Sequence, residues 1–270
     1  MAKERKKAAK QGVVRAKPRK SGKAARATSA SGTLEGPGGF SPDDRPEVVV
    51  TADVVVLAVS NDALSVLLVE RVREPDRGSW SLPGTVVDDE EPLVSAAARA
   101  VAGRTGVVVA PERLEQLSTF ADPDRDLRTR VVTVGFVAVA ERATPPAGGI
   151  VASGRWWPVD MVLAKKSPPL AFDHRSILVA GVEQVAEDLE WSDLAAYLVE
   201  EPFTLGDLRR AYEAVWGTPL DPANFRRKML ATPGFVEATG GRRAVTTGRP
   251  AELYLRGGGM RLHPPLVRVD

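Results

Sequence analysis

Between Leu82 and Val108 the chain reads LPGTVVDDEEPLVSAAARAVAGRTGVV. A glycine turn and four consecutive acids, Asp88, Asp89, Glu90 and Glu91, lead into an alanine-rich segment. This is the outline of a site for phosphate chemistry, in which carboxylates hold a hard cation against a diphosphate. The alanine-rich segment itself carries almost none of the acids that such chemistry uses. A second group, Arg71, Arg125, Arg128 and Arg130 with Trp80 and Phe120, offers cations for phosphates and apolar plates for a base. Arg128 and Arg130, two apart and entering a strand, are expected to point to one face. The same arginines would serve equally in an interface or in internal ion pairs, Arg125 with Asp122 or Asp126 for instance, and Trp80 suits a core as well as a pocket. Asp173 and His174 could form an acid-base pair, but with no nucleophile or metal set nearby a structural or hinge role fits them better. A third group, Asn224, Arg226, Arg227 and Lys228, belongs to the segment NFRRKML. Arginine can bond bidentately to guanine and asparagine to adenine in the major groove, whereas a solvated basic face or phosphate contacts use the same residue types without reading sequence.

The elements that must position these groups are legible in outline. Two β-branched runs, Val48 to Val59 and Ala63 to Val72, flank Ser60-Asn61-Asp62 and read as a hairpin. A helix starts near Pro92, with acids at its positive end, alanines in its middle, and Leu93, Ala97 and Val101 on one face; Gly106 ends it. A long strand follows in RTRVVTVGFVAVA, and GRWWPVD closes the β-rich part. In LAFDHRSILVAGVEQVAEDLEW, residues Leu178, Val182, Val185 and Leu189 form one apolar stripe of a helix that bridges to a second domain. There, Thr204 caps a helix with Leu205, Leu208, Tyr212 and Val215 inward, and Gly217 stops it. Asp221 and Pro222 open a second helix in which Phe225 and Met229 are core. Two strands around Gly240-Gly241 complete a helix, turn, helix and basic hairpin, an arrangement suited to DNA. Arg242, Arg243 and Arg249 in that wing are expected at phosphates or the minor groove, and Thr204 at its helix start offers another phosphate contact.

Composition sets outer bounds. The 270 residues contain no cysteine and two histidines, which excludes disulfides, thiolate zinc sites and a histidine metal cluster. The longest apolar stretch is about 12 residues against the ~20 that a membrane span needs, so a cytoplasmic protein without membrane contact is expected. The 37 Lys and Arg nearly balance the 35 Asp and Glu, yet 11 of the basic residues fall in the first 26 positions and another 11 after position 200. A polyanion, if the protein meets one, is met by the two ends. Residues 1–44, rich in Lys, Ala, Gly, Ser and Pro, read as a disordered basic tail.

The stretch from Gly84 to Gly106 resembles the Nudix box, in which a glycine and an upstream glutamate precede an Arg-Glu-x-x-Glu-Glu cluster and a final glycine. Counting back from Gly106, Arg99 takes the motif arginine, Ala100 the first glutamate, Gly103 and Arg104 the paired glutamates, Glu91 the upstream glutamate and Thr85 the second loop glycine. Further segments, QLSTFADPDRDLRTRVVTVGF, RWWPVD, LAFDHRSIL, FTLGDLRRAYEAVWGTPLD, NFRRKML and GRPAELY, resemble in order those of the Nudix-related transcriptional regulators of NAD metabolism, the NrtR type, over about residues 46–256. The resemblance implies an α+β chain, a Nudix-like α/β/α sandwich with a mixed sheet followed by a winged helix-turn-helix domain. It implies a homodimer on a palindromic DNA operator, repressing genes of NAD synthesis or salvage and released by ADP-ribose or a related nucleotide, with no cofactor required. The expected organisation is a ligand-sensing domain over 45–170, a linker helix over 171–190, the DNA-binding domain over 191–256 and a C-terminal tail over 257–270. Arg99 joins the expected ligand contacts. The replaced acids argue against hydrolysis. The alternatives are a Nudix hydrolase with an appended domain, a sugar-responsive regulator, and a DNA-associated protein dominated by its tail.

Overall fold

The structure, a computed structural model, describes residues 47–141, 154–244, 249–259 and 261–268. The basic tail expected over residues 1–44 lies outside them.

The long β-branched run becomes strand β1 (Val48–Ser60), and β2 (Ala63–Glu70) returns antiparallel to it with Ser60 opposite Ala63. The two-residue turn places Asn61 at φ 51° and Asp62 at φ 60°. Asn and Asp tolerate this left-handed pair, whose twist suits a tight hairpin. Short strands β3 (Trp80–Ser81) and β4 (Gly84–Val86) follow, β4 lying antiparallel to the first half of β1. After helix α1 (Leu93–Thr105) come β5 (Glu115–Phe120) and β6 (Arg130–Ala140), and β6 pairs with β1 in parallel from Val48 opposite Arg130 to Ala58 opposite Ala140. With β7 (Gly154–Pro158) on β2, the result is one mixed seven-stranded sheet.

Both faces of the sheet are apolar because both are covered. On one, Ala96, Ala97 and Val101 of α1 meet Val54, Val56, Phe136 and Ala138. On the other, Ile177, Leu178, Val185 and Leu189 of α3 (His174–Trp191), which follows the short α2 (Val159–Leu163), meet Val55, Leu57, Val137 and Val139. The helix read from its stripe as a linker is therefore the third layer of the sandwich, and its far end also carries the second domain. It lies so close to the sheet that a Cβ at Gly181 would stand 2.9 Å from a methyl of Val55.

The C-terminal domain comprises α4 (Leu205–Trp216), α5 (Pro222–Ala231), β8 (Val236–Arg243) and β9 (Ala251–Arg256). Thr204 and Asp207 form a reciprocal capping box, Gly217 at φ 69° ends α4, and Asp221 accepts from the N–H of Asn224 at 2.8 Å to cap α5. Tyr212 packs edge-on against both Trp216 and Phe225. One expectation fails: Gly240-Gly241 is not the hairpin turn. β8 runs on to Arg243, which pairs with Ala251, and Gly240 at φ 76° lies in the irregularity between Ala238 and Arg242. A glycine in the left-handed region marks a bulge as readily as a reversal.

The segment expected to be a C-terminal tail docks on the domain. The N–H of Gly259 bonds to the carbonyl of Gly234, that of Leu262 to Trp191, and that of Leu266 to Glu190. Leu262 is 2% exposed.

Replacing Gly181 with Ala should lower stability by about 1–3 kcal/mol, the cost of overpacking a tight core site. Denaturant unfolding should show the loss, and Val55→Ala should recover part of it in the double variant. Unchanged stability of Gly181→Ala would disprove the close packing of α3 on β1.

Candidate functional site

The sheet end at which β2 and β5 finish and β6 begins collects a set of arginines around the first turn of α3. Arg71 follows β2; its Nε and Nη2 donate to the carbonyl of Pro75 at 2.9 and 2.8 Å, and its guanidinium lies 4.5 Å from the ring centroid of Phe172. Arg128 comes from the β5–β6 loop and approaches the same ring at 5.7 Å. It also makes a bidentate pair with Asp126, at 3.0 and 2.7 Å. That pair raises the Arg128 pKa and lowers that of Asp126, while burial, eased by Asp76 and reinforced by Arg128, lowers that of Arg71. Phe172 has φ 53°, an uncommon conformation for an aromatic residue that costs of the order of 1 kcal/mol. An aromatic face flanked by two guanidinium groups can hold a planar base and the phosphates beside it.

The next two residues fix this turn. Asp173 accepts a bidentate pair from Arg125 at 2.9 and 2.6 Å, and the Arg125 side chain is only 4% exposed. The Arg125 side chain is thus engaged in an internal ion pair, and its partner is Asp173, neither Asp122 nor Asp126. His174 accepts the N–H of Leu82 on Nδ1 at 2.9 Å, which leaves its proton on Nε2, 3.8 Å from Asp53 Oδ1. Asp53 in turn accepts from Thr133 at 3.0 Å. Gly84 closes over this carboxylate so tightly that a Cβ there would fall 1.8 Å from Asp53 Oδ1. The adjacent acid and histidine are both engaged in contacts that hold α3 to the sheet.

The remaining expected ligand residues engage other partners. Arg130 begins β6, so strand alternation does not reach back to Arg128, and the parity of β6 places Arg130 with Val134 and Phe136 on the α1 side. Arg99 reaches from α1 to Glu91 at 2.9 and 2.6 Å, to Thr85 Oγ1 at 3.1 Å and to the carbonyl of Val86 at 3.0 Å. It clasps the glycine turn onto the helix. Trp80 packs edge-on against Trp157, and its main chain holds Pro169 and Ala171 just ahead of Phe172. Phe120 lies over Gly135. Sequence reasoning missed Phe172, since a single aromatic residue in a turn gives no periodic signal.

A metal of the kind the Nudix frame implies does not fit these residues. Ala100 is buried and brings only a methyl group, Gly103 has no side chain, Arg104 is a cation, and Glu91 is engaged by Arg99. Among the described residues no group of three or more His, Cys, Asp or Glu is placed to hold a metal ion.

On the C-terminal domain, Phe225 and Met229 are buried, and the outward face of α5 presents Asn224 and Arg227, joined at 3.0 Å. Arg226 leans toward Glu252 of β9 at 3.8 Å, and Lys228 donates to the carbonyl of Pro264. Arg242 and Arg249 are exposed on the wing. Two expected phosphate contacts are already engaged. Thr204 bonds Asp207 in its own cap, where a carboxylate faces any incoming anion, and Arg243 bonds Asp207 at 2.8 Å and the carbonyl of Pro202 at 2.8 Å. Burial works against the ionised Asp207 carboxyl, but bonds from Thr204 and the charges of Arg243 and Arg210 hold its pKa below the usual range. Arg210 ties the same Asp207 to Asp62 in the β1–β2 turn, at 2.5 and 2.9 Å.

Comparison with known proteins gives a consistent picture. Residues 195–255 match the NrtR DNA-binding winged helix domain and residues 50–180 the NUDIX domain. The crystal structure of Shewanella oneidensis NrtR shares 32% identity and a TM-score of 0.69, covering 80% of this chain and 99% of that one. The same protein complexed with a 27mer DNA gives 31% and 0.70, covering 81% and 99%. The ADPR responsive transcriptional repressor NtrR of Acinetobacter baylyi is 29% identical over 218 residues, 80% of this chain and 84% of that protein.

Burial lowers the pKa of His174 below its ordinary 6.5, against the opposing pull of Asp53 and Asp173. The unfolded chain then takes up the proton first as pH falls, so the stability His174 contributes is complete above about pH 6.5 and is lost below it. His174→Asn keeps an acceptor for Leu82 but cannot titrate. Its urea midpoint should fall less than the wild type's between pH 7.5 and 5.5, and parallel pH profiles would refute the assignment.

Proposed function

The chain belongs to the NrtR family, and from that premise we propose that it is a dimeric DNA-binding repressor of NAD synthesis or salvage genes, released from a palindromic operator by ADP-ribose or a related NAD-derived nucleotide. The observation that carries this reading is the span of α3. Its first turn forms part of the arginine and aromatic cluster, while near its other end the carbonyl of Ala186 accepts the indole N–H of Trp216 from α4 at 2.9 Å. One rigid element thus touches both the effector cluster and the DNA-binding domain.

In this reading Arg71 and Arg128 hold the diphosphate and Phe172 stacks on the base or ribose side of the ligand. Asn224, Arg226 and Arg227 enter the major groove, and Arg242 and Arg249 meet the backbone. Two copies present their α5 helices about 34 Å apart to reach successive turns of the duplex. A nucleotide that binds better to a dimer with another spacing weakens DNA binding by linkage, and only by that differential affinity. The protein holds its nucleotide without cleaving it, because the positions that would ligate a metal carry a methyl group, no side chain and a guanidinium.

Four measurements test the proposal. A gel shift on the protein's own promoter and on nearby NAD-synthesis promoters should show a specific complex that ADP-ribose dissolves; no specific complex would refute it. Arg226→Ala with Arg227→Ala should weaken operator binding by about tenfold or more, while binding to random DNA changes less. Arg71→Ala with Arg128→Ala should raise the ADP-ribose dissociation constant by about tenfold or more and leave DNA affinity near wild type. Prolonged incubation of ADP-ribose with the protein and Mg²⁺ or Mn²⁺ should yield no product, and measurable turnover would favour the hydrolase.

A further inference from the structure

The segment after β9 lies against the recognition helix on the side opposite the wing. A helix turns 100° per residue, so with Phe225 and Met229 inward, Arg226 and Lys228 fall on opposite flanks of α5. The contacts agree: Arg226 leans to Glu252 on the wing strand, and Lys228 donates to Pro264 in the C-terminal segment. Gly259 bonds Gly234 just past the end of α5, and Pro264 meets Lys228 one turn before that end. Residues 261–263 therefore run beside the last turns of the recognition helix.

Their side chains alternate. Leu262 is buried, while Arg261 and His263 on either side are exposed. The backbone is held firmly, by Leu262 N–H to the Trp191 carbonyl, Leu266 N–H to the Glu190 carbonyl, and Arg268 N–H to the Glu190 carboxylate at 3.0 Å. Among the described residues no ion-pair partner faces the Arg261 guanidinium. An unpaired cation fixed on a rigid strap, level with a helix presented to DNA and across from the wing, is placed to meet a phosphate.

Building on the DNA-binding reading above, we propose that the C-terminal strap acts as a second wing, with Arg261, assisted by His263, contacting the DNA backbone on the flank of α5 that the hairpin wing does not reach. The contact adds affinity without base preference, and it joins the end of α3 directly to the DNA. Lys228 is then a positioning residue that holds the strap to the recognition helix.

The test compares full-length Arg261→Ala, Arg261→Lys and Arg261→Glu with the wild type on operator and random duplexes, from low to physiological salt and beyond. Arg261→Ala should weaken binding to both duplexes by a similar factor of about three to ten. It should also reduce the slope of log affinity against log salt by about one. Arg261→Lys should restore most of the loss and Arg261→Glu deepen it, all three melting at the wild-type temperature because the side chain is exposed. A wild-type salt slope for Arg261→Ala, or a loss confined to the operator, overturns the strap contact while leaving the DNA-binding reading intact. Failure of the wild type to bind either duplex overturns both.

Discussion

The first turn of α3 is held by two interactions that reach across the fold, and the two ends of the molecule are related through them. Asp173 takes Nε and Nη2 of the buried Arg125 in a part-buried pair, and His174 takes the N–H of Leu82 over a buried Asp53. A buried ion pair adds little net stability but is costly to break, because each partner would be left desolvated and alone. The pair therefore works as a geometric constraint more than as a reserve of energy. It fixes where Phe172 stands and where the helix axis points.

At the other end the same helix is held by apolar packing, the Trp216 bond and the strap. Other interdomain links among the described residues are the ion pairs of Asp62 with Arg210 and of Glu141 with Arg256 at 2.8 Å, each of small individual worth, and the Arg113 guanidinium over the Tyr197 ring at 4.1 Å. The α3–α4 seam, by contrast, is closed by the buried Trp216.

The parts of this arrangement that the sequence made legible are those whose causes are local. Thr204, Asp221 with Pro222, Gly217, and Asn61-Asp62 each act on backbone within a few residues, and each appears at the place its chemistry indicates. The sandwich and winged helix also came through, carried by the apolar runs and by the resemblance of several spaced segments. What stayed hidden depends on distance along the chain. Arg125 and Asp173 are 48 residues apart, so proximity in sequence favoured Asp122 and Asp126 and misdirected the pairing. Arg130 was misjudged because alternation was extended beyond the true strand start. Phe172 and Arg261 are single side chains whose meaning comes only from neighbours, and Gly240-Gly241 has one chemistry compatible with two structures.

The docking of Leu262 on the end of α3 bears on how this chain can be divided. The matched DNA-binding region ends at residue 255, yet the polypeptide returns past it to lie along Trp191 and Glu190, on the layer that belongs to the sandwich. Order in sequence and order in space part company there. A recombinant fragment cut at the matched boundaries would bare the Leu262 seat and lose the brace beside α5, and a chimera that exchanged only residues 195–255 would graft a reading head without its mount. The exchangeable unit is the winged helix together with the last turns of α3 and the strap, which makes the protein less modular than its two-domain sequence suggests.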